Sequence, residues 1–329
     1  MPTLMKAVRL LDVGKVVVDE VPVPTPGPGQ VLVKMRRASI CGSDVHVVYD
    51  GFLPDEMPGR PGYPGHEGVG EVVQSRSPEF SPGDPVLTVP VPPEAGCFAA
   101  YQVVAAGSLV KLPAGVDPER LLMAQQLGTT IYATRRFWPD GAGRVAAVIG
   151  AGSAGLFFLQ LLKRKGFEKL VVADLEPARL DIARELGADV VVRAPEESVV
   201  DACLDLTGGE GADLVVEAAG YDACRAQAVD AVRERGRLGF FGFPERRGQT
   251  PFPVEAAFRK APSIEFTSGT QREPGLRSFR EAVELIVQGA VEIGYLLAPT
   301  LGLEQAPEAL ELARERGRGA VKINLDPTA

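Results

Sequence analysis

Histidine and cysteine are scarce in this sequence of 329 residues, which contains two histidines and four cysteines. The spacing of Cys41, Cys97, Cys203 and Cys224 fits neither a disulfide framework nor a four-cysteine zinc knuckle, so we expect a protein of the reducing cytoplasm. The N-terminal region contains no apolar core of signal-peptide length. Basic residues form no cluster and the net charge is −8, which argues against a nucleic-acid partner.

One long stretch without charge raises the question of a membrane span. It runs from Val145 to Leu162, eighteen residues, which is the length of a transmembrane helix. Three glycines interrupt it between two apolar runs. Because a buried strand, a tight turn and a buried helix explain this order better than a bilayer does, we expect no contact with a membrane.

The first third of the chain has the pattern of an antiparallel β domain. Apolar and polar residues alternate over short runs, which proline and glycine separate. The predicted strands are Lys15–Glu20, Gln30–Met35, Gly70–Gln74, Pro85–Val89 and Phe98–Val104.

From residue 118 onward the pattern changes to alternating helices and strands. Such alternation predicts an α/β fold with a parallel sheet covered on both faces, and six strands make a complete, doubly wound dinucleotide-binding fold. The predicted strands are Val145–Ile149, Leu170–Asp174, Val190–Arg193, Leu214–Glu217, Arg237–Phe241 and Ile264–Thr267. The predicted helices are Glu119–Arg136, Ser153–Lys165, Pro177–Leu186, Ser198–Thr207, Ala223–Arg235 and Gly275–Gln288. A final helix, Leu303–Arg316, and a final strand, Gly319–Leu325, follow.

A glycine-rich turn follows the first of these parallel strands. Gly150, Gly152 and Gly155 form the pattern G-x-G-x-x-G, and the helix that opens there begins with Ser153 and Ala154. In this arrangement backbone N–H groups and the positive end of a helix dipole bind a pyrophosphate. The pattern alone is weak evidence, but strand, turn and helix occur here in the required order. The turn therefore predicts a dinucleotide site.

The end of the next strand indicates which dinucleotide binds. Asp174 lies twenty-two residues after Gly152. A carboxylate there accepts hydrogen bonds from the ribose hydroxyls of NAD and repels the additional phosphate of NADP. We interpret the nearby Arg179 as a partner of the adenosine ribose, although an arginine can also hold that phosphate. The alternative to a dinucleotide site is a glycine turn that happens to precede a surface aspartate. We favour the dinucleotide site and expect NAD as the cofactor.

Two motifs in the β domain offer ligands for a metal ion. They are Cys41-Gly-Ser-Asp-Val-His46 and Gly65-His66-Glu67. Zinc in a catalytic site takes three protein ligands and leaves one position for water or substrate, and Cys41, His66 and Glu67 can supply that set. Bound zinc would polarise an alcohol oxygen and stabilise the alkoxide that releases a hydride.

Three residues next to Cys41 can support this chemistry. Asp44 is placed to orient a ligand histidine. Ser43 could pass on the proton of the alcohol, and His46 could deliver it to solvent near neutral pH.

Each proposed ligand also has an ordinary interpretation. Cys41 could be a small buried apolar residue, His66 a loop histidine satisfied by the backbone, and Glu67 a surface charge. The metal site is favoured because the two histidines of the chain both fall within these motifs.

In these motifs the sequence resembles the zinc-dependent branch of the medium-chain dehydrogenase/reductase family, which includes alcohol, sorbitol, glucose and threonine dehydrogenases. The matching segments are Cys41–His46, Pro64–Glu67 and Gly150–Gly155, and the resemblance covers the whole chain. It implies a GroES-like catalytic domain from residues 1–126 and 268–329, with a Rossmann NAD-binding domain from residues 127–267 inserted. It also implies a homodimer or homotetramer in which strands around Ile264–Thr270 pair between copies.

The resemblance also implies roles for the site residues. Cys41 and His66 would bind zinc with Glu67 as a third or exchangeable ligand, and Ser43 and His46 would form a proton relay. Asp174 and Arg179 match the contacts to the adenosine ribose.

The chain departs from this family in three places, one of which, Asp84-Pro85 in place of an acidic residue and an arginine, carries no functional weight. Many relatives carry a four-cysteine lobe with a structural zinc where this chain has the short bridge Val91–Gly96 followed by Cys97 alone. We therefore expect one catalytic zinc and no structural zinc, with Cys97 as a packed loop residue. The position that often offers the metal a cysteine or glutamate is Gln125 here, and a neutral amide is a poor zinc ligand. Three protein ligands and a water are thus expected.

The leading hypothesis is a zinc-dependent NAD(H) oxidoreductase that acts on a secondary alcohol, with polyols and sugars as candidate substrates. A zinc-free reductase of the quinone or enoyl type shares the fold and would not require the three ligands. A nucleotide-binding protein without catalysis is the third hypothesis, against which the paired Ser43 and His46 argue.

Overall fold

The computed structural model describes residues 2–91 and 94–328. Within these ranges the strands are β1 (Leu4–Asp12), β2 (Lys15–Pro22), β3 (Gln30–Ile40), β4 (Glu67–Ser75), β5 (Pro85–Thr88), β6 (Tyr101–Ala105), β7 (Leu109–Lys111), β8 (Val145–Ile149), β9 (Lys169–Asp174), β10 (Val190–Arg193), β11 (Ala212–Glu217), β12 (Val232–Phe240), β13 (Ser263–Phe266), β14 (Thr300–Gly302) and β15 (Ile323–Asp326). The α-helices are α1 (Gly42–Tyr49), α2 (Ala124–Phe137), α3 (Ser153–Lys165), α4 (Pro177–Leu186), α5 (Val199–Thr207), α6 (Asp222–Ala231), α7 (Val254–Lys260), α8 (Arg277–Val287) and α9 (Ala306–Arg314).

These elements divide into two compact units. The first contains the described residues up to Gly128 and from Gln271 onward, and the second is Thr129–Thr270. The predicted assignment of catalysis to residues 1–126 with 268–329, and of cofactor binding to 127–267, stays a prediction.

Strand β3 organises the first unit. It is part of a seven-stranded sheet with the order β14-β15-β3-β4-β5-β7, and β6 also pairs with β3. β4, β6 and β15 all run antiparallel to β3. The apolar side chains of β3, including Val31, Val33 and Met35, are fully buried in the core of this unit. β3 therefore fixes the position of segments from both ends of the sequence.

The second unit is a six-stranded parallel sheet. Its order is β10-β9-β8-β11-β12-β13, and the order reverses between β8 and β11. All five residues of β8 are buried, as the uninterrupted apolar run predicted. In open parallel sheets ligands bind beyond the carboxyl ends of the strands at such a reversal. The α/β class with a doubly wound sheet is thus confirmed.

The uncharged run Val145–Leu162 folds as the sequence predicted. It forms β8, a turn and the first part of α3, whose residues from Ser153 to Leu162 are buried. In the part of the chain that the structure describes, no helix has the length and apolar character to cross a membrane.

The structure corrects several predicted helix and strand boundaries near the two ends of the first unit and before α2. The N-terminal strand β1 was not predicted, and it pairs with β2. The predicted helix from Glu119 begins as a 3₁₀ turn, Arg120–Met123, and becomes α-helical at Ala124. The final strand begins at Ile323 rather than Gly319, because Arg316–Gly319 form a 3₁₀ turn with positive φ angles.

A further correction concerns the helix predicted to end at Arg235. α6 ends at Ala231, and β12 begins at Val232. The buried Val232 pairs with Ala212 of β11, so strand pairing overrides the helical pattern there.

Candidate metal and dinucleotide sites

Three segments of the first unit meet at one end of β3. Cys41 directly follows β3, Glu67 begins β4 on one side of it, and Lys322 directly precedes β15 on the other side. Because β4 and β15 run antiparallel to β3, their starts lie beside its end. Residues that are distant in sequence are therefore neighbours here.

The three predicted metal ligands are among these neighbours. One ligand atom from each of Cys41, His66 and Glu67 lies within 4.8 Å of the other two. Zinc bond lengths place tetrahedral ligands about 3.5 Å apart, so a small contraction would close this set around one ion. Among residues 2–91 and 94–328, no other three histidine, cysteine, aspartate or glutamate side chains lie close enough together to share a metal ion.

Asp44 connects two of the ligands. It is buried; its Oδ1 lies 2.9 Å from Nδ1 of His66, and its Oδ2 accepts a hydrogen bond of 2.9 Å from the backbone N–H of Cys41. The carbonyl oxygen of Pro64 lies 3.3 Å from the same Nδ1. With Nδ1 engaged, Nε2 is the nitrogen of His66 that can bind a metal.

The charge of His66 follows from the same contacts. Burial lowers its pKa, but Asp44 and Cys41 outweigh this and raise the pKa well above the usual value. A metal ion at Nε2 would therefore displace a proton.

Lys322 is a site residue that the sequence analysis missed. Its Nζ lies 2.6 Å from Oε2 of Glu67, and 2% of each side chain is exposed. The hydroxyl of Ser39 donates to the same carboxylate oxygen, and Oε1 of Gln126 lies 3.4 Å from Nζ. Both contacts to Glu67 use Oε2, so Oε1 is the oxygen that could face an ion.

Both members of this pair are charged. Burial raises the pKa of Glu67, but Lys322 and His66 outweigh it and lower the pKa; burial lowers the pKa of Lys322, and Glu67 raises it above the usual value. Lys322 lies in the largely apolar segment Ala320–Leu325, and this position could have revealed it from the sequence. A lysine in such a segment is expected to be buried, and a buried charge requires a partner of opposite charge.

The donor set suits zinc in both chemistry and charge. A thiolate, an imidazole and a carboxylate are zinc ligands. The charges of Zn²⁺, Cys41, Glu67, Asp44 and Lys322 sum to zero with His66 neutral, so a buried ion would leave no net charge uncompensated.

The two predicted relay residues lie on α1. Ser43 and His46 are three positions apart and therefore on the same side of the helix. His46 Nδ1 lies 2.7 Å from Oδ2 of Asp50 at the end of the helix.

Two further residues were singled out in the sequence. Cys97 is fully buried, and its Sγ donates to the backbone oxygen of Glu67 at 3.3 Å. Burial raises the pKa of Cys97 well above the usual value.

Gln125 is also buried, and its Nε2 has no hydrogen-bond partner among the described residues. Residues 92 and 93 of the bridge Val91–Gly96 lie outside the described residues, so the absence of a structural zinc stays a prediction.

The glycine turn of the second unit lies at the carboxyl end of β8. A Cβ on Gly155 would come within 1.7 Å of the carbonyl oxygen of Gly150, so close packing within the protein requires glycine there. A Cβ on Gly152 would meet nothing within 4 Å. The protein itself does not require glycine at 152, and the open space is where a pyrophosphate could approach.

The start of α3 fits the same ligand. Gly152 is the N-terminal cap and offers no side chain to the first N–H groups of the helix, which begins with Ser153 and Ala154. These donors suit an anion.

Asp174 at the end of β9 has a role that the sequence did not indicate. Its Oδ2 accepts a hydrogen bond of 2.6 Å from the backbone N–H of Ala151, and its Oδ1 accepts one of 2.9 Å from Glu176. It therefore holds the glycine turn, and a carboxylate has lone pairs left for a ribose. Arg179 lies in the first turn of α4 and is half-buried.

Two family models match the chain. The model described as an alcohol dehydrogenase GroES-like domain matches residues 27–114, and the model described as a zinc-binding dehydrogenase matches residues 154–288.

Known proteins are similar over two thirds or more of the chain. Sorbitol dehydrogenase of Bacillus subtilis is 26% identical, over 99% of this chain and 98% of that protein. L-threonine 3-dehydrogenase of Pyrococcus horikoshii is 31% identical, over 68% of this chain and 71% of that protein. The structure of an alcohol dehydrogenase from Thermus sp. ATN1 superposes with a TM-score of 0.85 at 28% identity, over 98% of this chain and 99% of that chain.

Proposed function

The chain belongs to the zinc-type medium-chain dehydrogenase family, and we propose on that basis that it interconverts a secondary alcohol and a ketone with NAD(H) as hydride carrier. It is an oxidoreductase that acts on CH–OH groups. The observation that carries the proposal is the cluster of Cys41, His66 and Glu67. Asp44 contacts the ring of His66 and the backbone N–H of Cys41 and so connects two of these three residues.

In this mechanism Cys41 and His66 would hold the metal, and Glu67 would be a third or exchangeable ligand. Zinc, when bound, supplies a Lewis acid that makes the hydroxyl of the substrate more acidic. Asp44 engages Nδ1 of His66, which would leave Nε2 as the ligand atom. Lys322 neutralises Glu67 and holds its Oε2.

The proton that leaves the alcohol requires an acceptor. Ser43 would take part in its transfer, and His46, which lies on the same side of α1 and is one-fifth exposed, would deliver it to solvent. NAD, when bound, would supply the hydride acceptor, so that one proton and one hydride would balance each alcohol oxidised.

We assign the dinucleotide to the glycine turn of the second unit. The N–H groups at Gly152, Ser153 and Ala154 would bind the pyrophosphate. Asp174 would accept hydrogen bonds from the adenosine ribose, with Arg179 beside it, and its negative charge favours NAD over NADP.

The substrate class rests on the family and the relatives. The sorbitol and threonine dehydrogenases named above act on the molecules in their names, which contain secondary alcohols, and polyols and sugars are therefore the first candidates.

A metal-depletion experiment tests this function. The purified protein would be assayed for NADH formation on a panel of polyols, sugars and threonine, then depleted with a chelator and reloaded with zinc. We expect activity to disappear with the metal and to return with it. Full activity in metal-free protein would support the zinc-free reductase, and NAD binding without activity on any substrate would support a non-catalytic protein.

We also propose that the protein is a homo-oligomer of the cytoplasm. Edge strand β13 exposes Ile264 and Phe266, and α7 before it exposes Val254 and Phe258. An apolar sheet edge of this kind is suited to pairing with a second copy. The molar mass in solution, compared between wild type and Phe266→Lys, tests this and separates dimer from tetramer.

The thiolate ligand Cys41 favours a reducing compartment.

A further inference from the structure

The imidazole of His46 is held on two sides by residues that follow α1. Its Nδ1 lies 2.7 Å from Oδ2 of Asp50, one helical turn later. The edge-to-face packing of Phe52 places the two ring centroids 6.0 Å apart at 71°. The backbone N–H of Asp50 also donates to the carbonyl oxygen of His46 at 3.0 Å, which fixes the start of this loop.

The contact to Asp50 determines which ring nitrogen carries the proton. A carboxylate accepts hydrogen bonds, so the neutral imidazole must place its hydrogen on Nδ1. Nε2 then has the lone pair and is the nitrogen that can take up a proton. Removal of the Asp50 carboxylate takes away the acceptor of the Nδ1 hydrogen, and a molecule with its hydrogen on Nε2 would present an N–H where an acceptor is required.

We propose that Asp50 is a positioning residue that keeps His46 in the Nδ1–H tautomer, so that Nε2 accepts the proton released when the alcohol is oxidised. This inference rests on the proposed dehydrogenase function. The proton forms a new N–H bond at Nε2, and the Nδ1–H of the ring continues to donate to Asp50. Because 20% of His46 and 40% of Asp50 are exposed, water can then remove a proton and restore the neutral ring.

An ordinary helix contact would have the same distance. Acidic and basic side chains four positions apart on a helix often pair at the surface with little consequence. The two interpretations differ in the tautomer of His46 and in proton transfer, so the experiment must measure both.

The first measurement is the tautomer, read from ¹H–¹⁵N correlation spectra of zinc-loaded protein labelled in histidine. The chain has two histidines, so a His46→Gln variant assigns all the ring signals. We expect the neutral ring of His46 in the Nδ1–H form in wild type, the Nε2–H form to dominate in Asp50→Ala, and the wild-type form to be kept in Asp50→Glu. Asp55→Ala, which removes an exposed carboxylate from the same loop, is the matched control and should match wild type.

The second measurement is turnover. We expect kcat of Asp50→Ala to fall by about tenfold, part of the 10²–10⁴-fold that general base catalysis supplies, with KM for the alcohol changed by less than about twofold. The rate of this variant should rise with the concentration of imidazole buffer, which replaces the missing acceptor, whereas the wild-type rate should not.

The outcomes separate this inference from the function on which it rests. An unchanged tautomer in Asp50→Ala, or a changed tautomer with wild-type kcat and no effect of buffer, overturns the role of Asp50 even in an active enzyme. A wild-type protein that oxidises no alcohol overturns the proposed function, and the relay with it.

Discussion

The candidate metal site and the glycine turn are built from the sequence in opposite ways. The turn, the strand before it and the helix after it are contiguous between Val145 and Lys165. The metal site combines Cys41, Glu67 and Lys322, which meet only because β4 and β15 pair with β3. A local motif can be recognised from the residues alone, whereas a site made by strand pairing contains members that no motif reveals. The following predictions test how far the two sites are independent and how each is held.

The largest effect is expected from removing the thiolate. Cys41→Ala should lower kcat by at least about 10³-fold, because a catalytic metal contributes several kcal/mol to the transition state. Zinc content should fall with it, while the affinity for NADH, measured by fluorescence titration, stays at the wild-type value.

Cys97→Ala is the matched control, since it removes a buried thiol of the same unit whose sulfur donates to the backbone oxygen of Glu67 and is not among the three proposed ligands. This control should keep its zinc. An unaltered rate in Cys41→Ala would mean that the metal ligands are misassigned.

The buried ion pair should matter most in the absence of metal. Lys322→Met takes away the cation that lies against the buried carboxylate of Glu67, and the loss of one member of a buried ion pair costs about 3–5 kcal/mol of unfolding free energy. Bound zinc would replace part of the lost positive charge, so the difference from wild type should shrink when zinc is added. Denaturant unfolding with and without zinc measures both values.

The double variant Lys322→Met/Glu67→Gln serves as the control for charge. It removes both members of the pair, and in metal-free protein it should be less destabilised than Lys322→Met alone. Equal destabilisation would show that the lysine acts through packing rather than through its charge.

The glycines of the turn should separate folding from binding. Gly155→Ala places a Cβ against the carbonyl oxygen of Gly150 and should destabilise the second unit by a few kcal/mol. Gly152→Ala meets open space, so its Tm should match wild type while its affinity for NAD falls about tenfold, as the Cβ fills the space proposed for the pyrophosphate. Wild-type affinity in Gly152→Ala would contradict the proposed pyrophosphate position.

The coenzyme preference should depend on one charge. Asp174→Asn removes the charge and keeps one oxygen for the N–H of Ala151, but it loses the acceptor for the backbone N–H of Glu176. We therefore expect the ratio of NAD to NADP affinity to fall by about tenfold, with a small loss of Tm. Titration with both coenzymes measures it. Asp205→Asn, an exposed change of the same kind on α5, should leave the ratio unchanged.

The smallest effect is a pH dependence that should affect one site and not the other. In the zinc-free protein the pKa of His66 is raised, despite burial, by Asp44 and Cys41. Its contribution to stability is complete below the unfolded pKa of about 6.5 and is lost as the pH rises through the folded pKa.

Because zinc displaces the proton of His66, and also that of the Cys41 thiol where the thiol carries one, the apparent affinity for zinc should increase with pH by up to about tenfold per pH unit for each proton released. Competition with a chelator of known affinity measures it. The affinity for NAD, which depends on backbone N–H groups, should change little over the same interval. A zinc affinity that is independent of pH would contradict the protonated state of His66.

The difference between a contiguous turn and a site assembled by strand pairing also explains which features could be predicted from the sequence. The bounds of β8, β10, α3 and α4 were predicted correctly, because an apolar run, a glycine turn and an amphipathic helix are local patterns. The ligand set could be proposed because both histidines fall in two short motifs. Lys322 was missed because its partner is determined by the pairing of β15 with β3, and the sequence gives no register for that pairing.

The second role of Asp174 was missed for a related reason. A carboxylate after a strand predicts a ribose contact, but the hydrogen bond to Ala151 depends on β8 and β9 being neighbours in the sheet. The strand β1, which pairs with β2, was missed as well. The pairing of these strands is a property of the fold and not of any single segment.

The way β3 takes its partners has a consequence for synthesis on the ribosome. Glu67 is translated before the whole second unit, and Lys322 after it. Until β15 emerges, the end of β3 has open backbone groups on one edge, and the carboxylate beside it has no lysine to neutralise it. The second unit can complete its parallel sheet before β15 has been synthesised, whereas the first unit lacks β15 until then. The first unit is therefore expected to finish folding after the second.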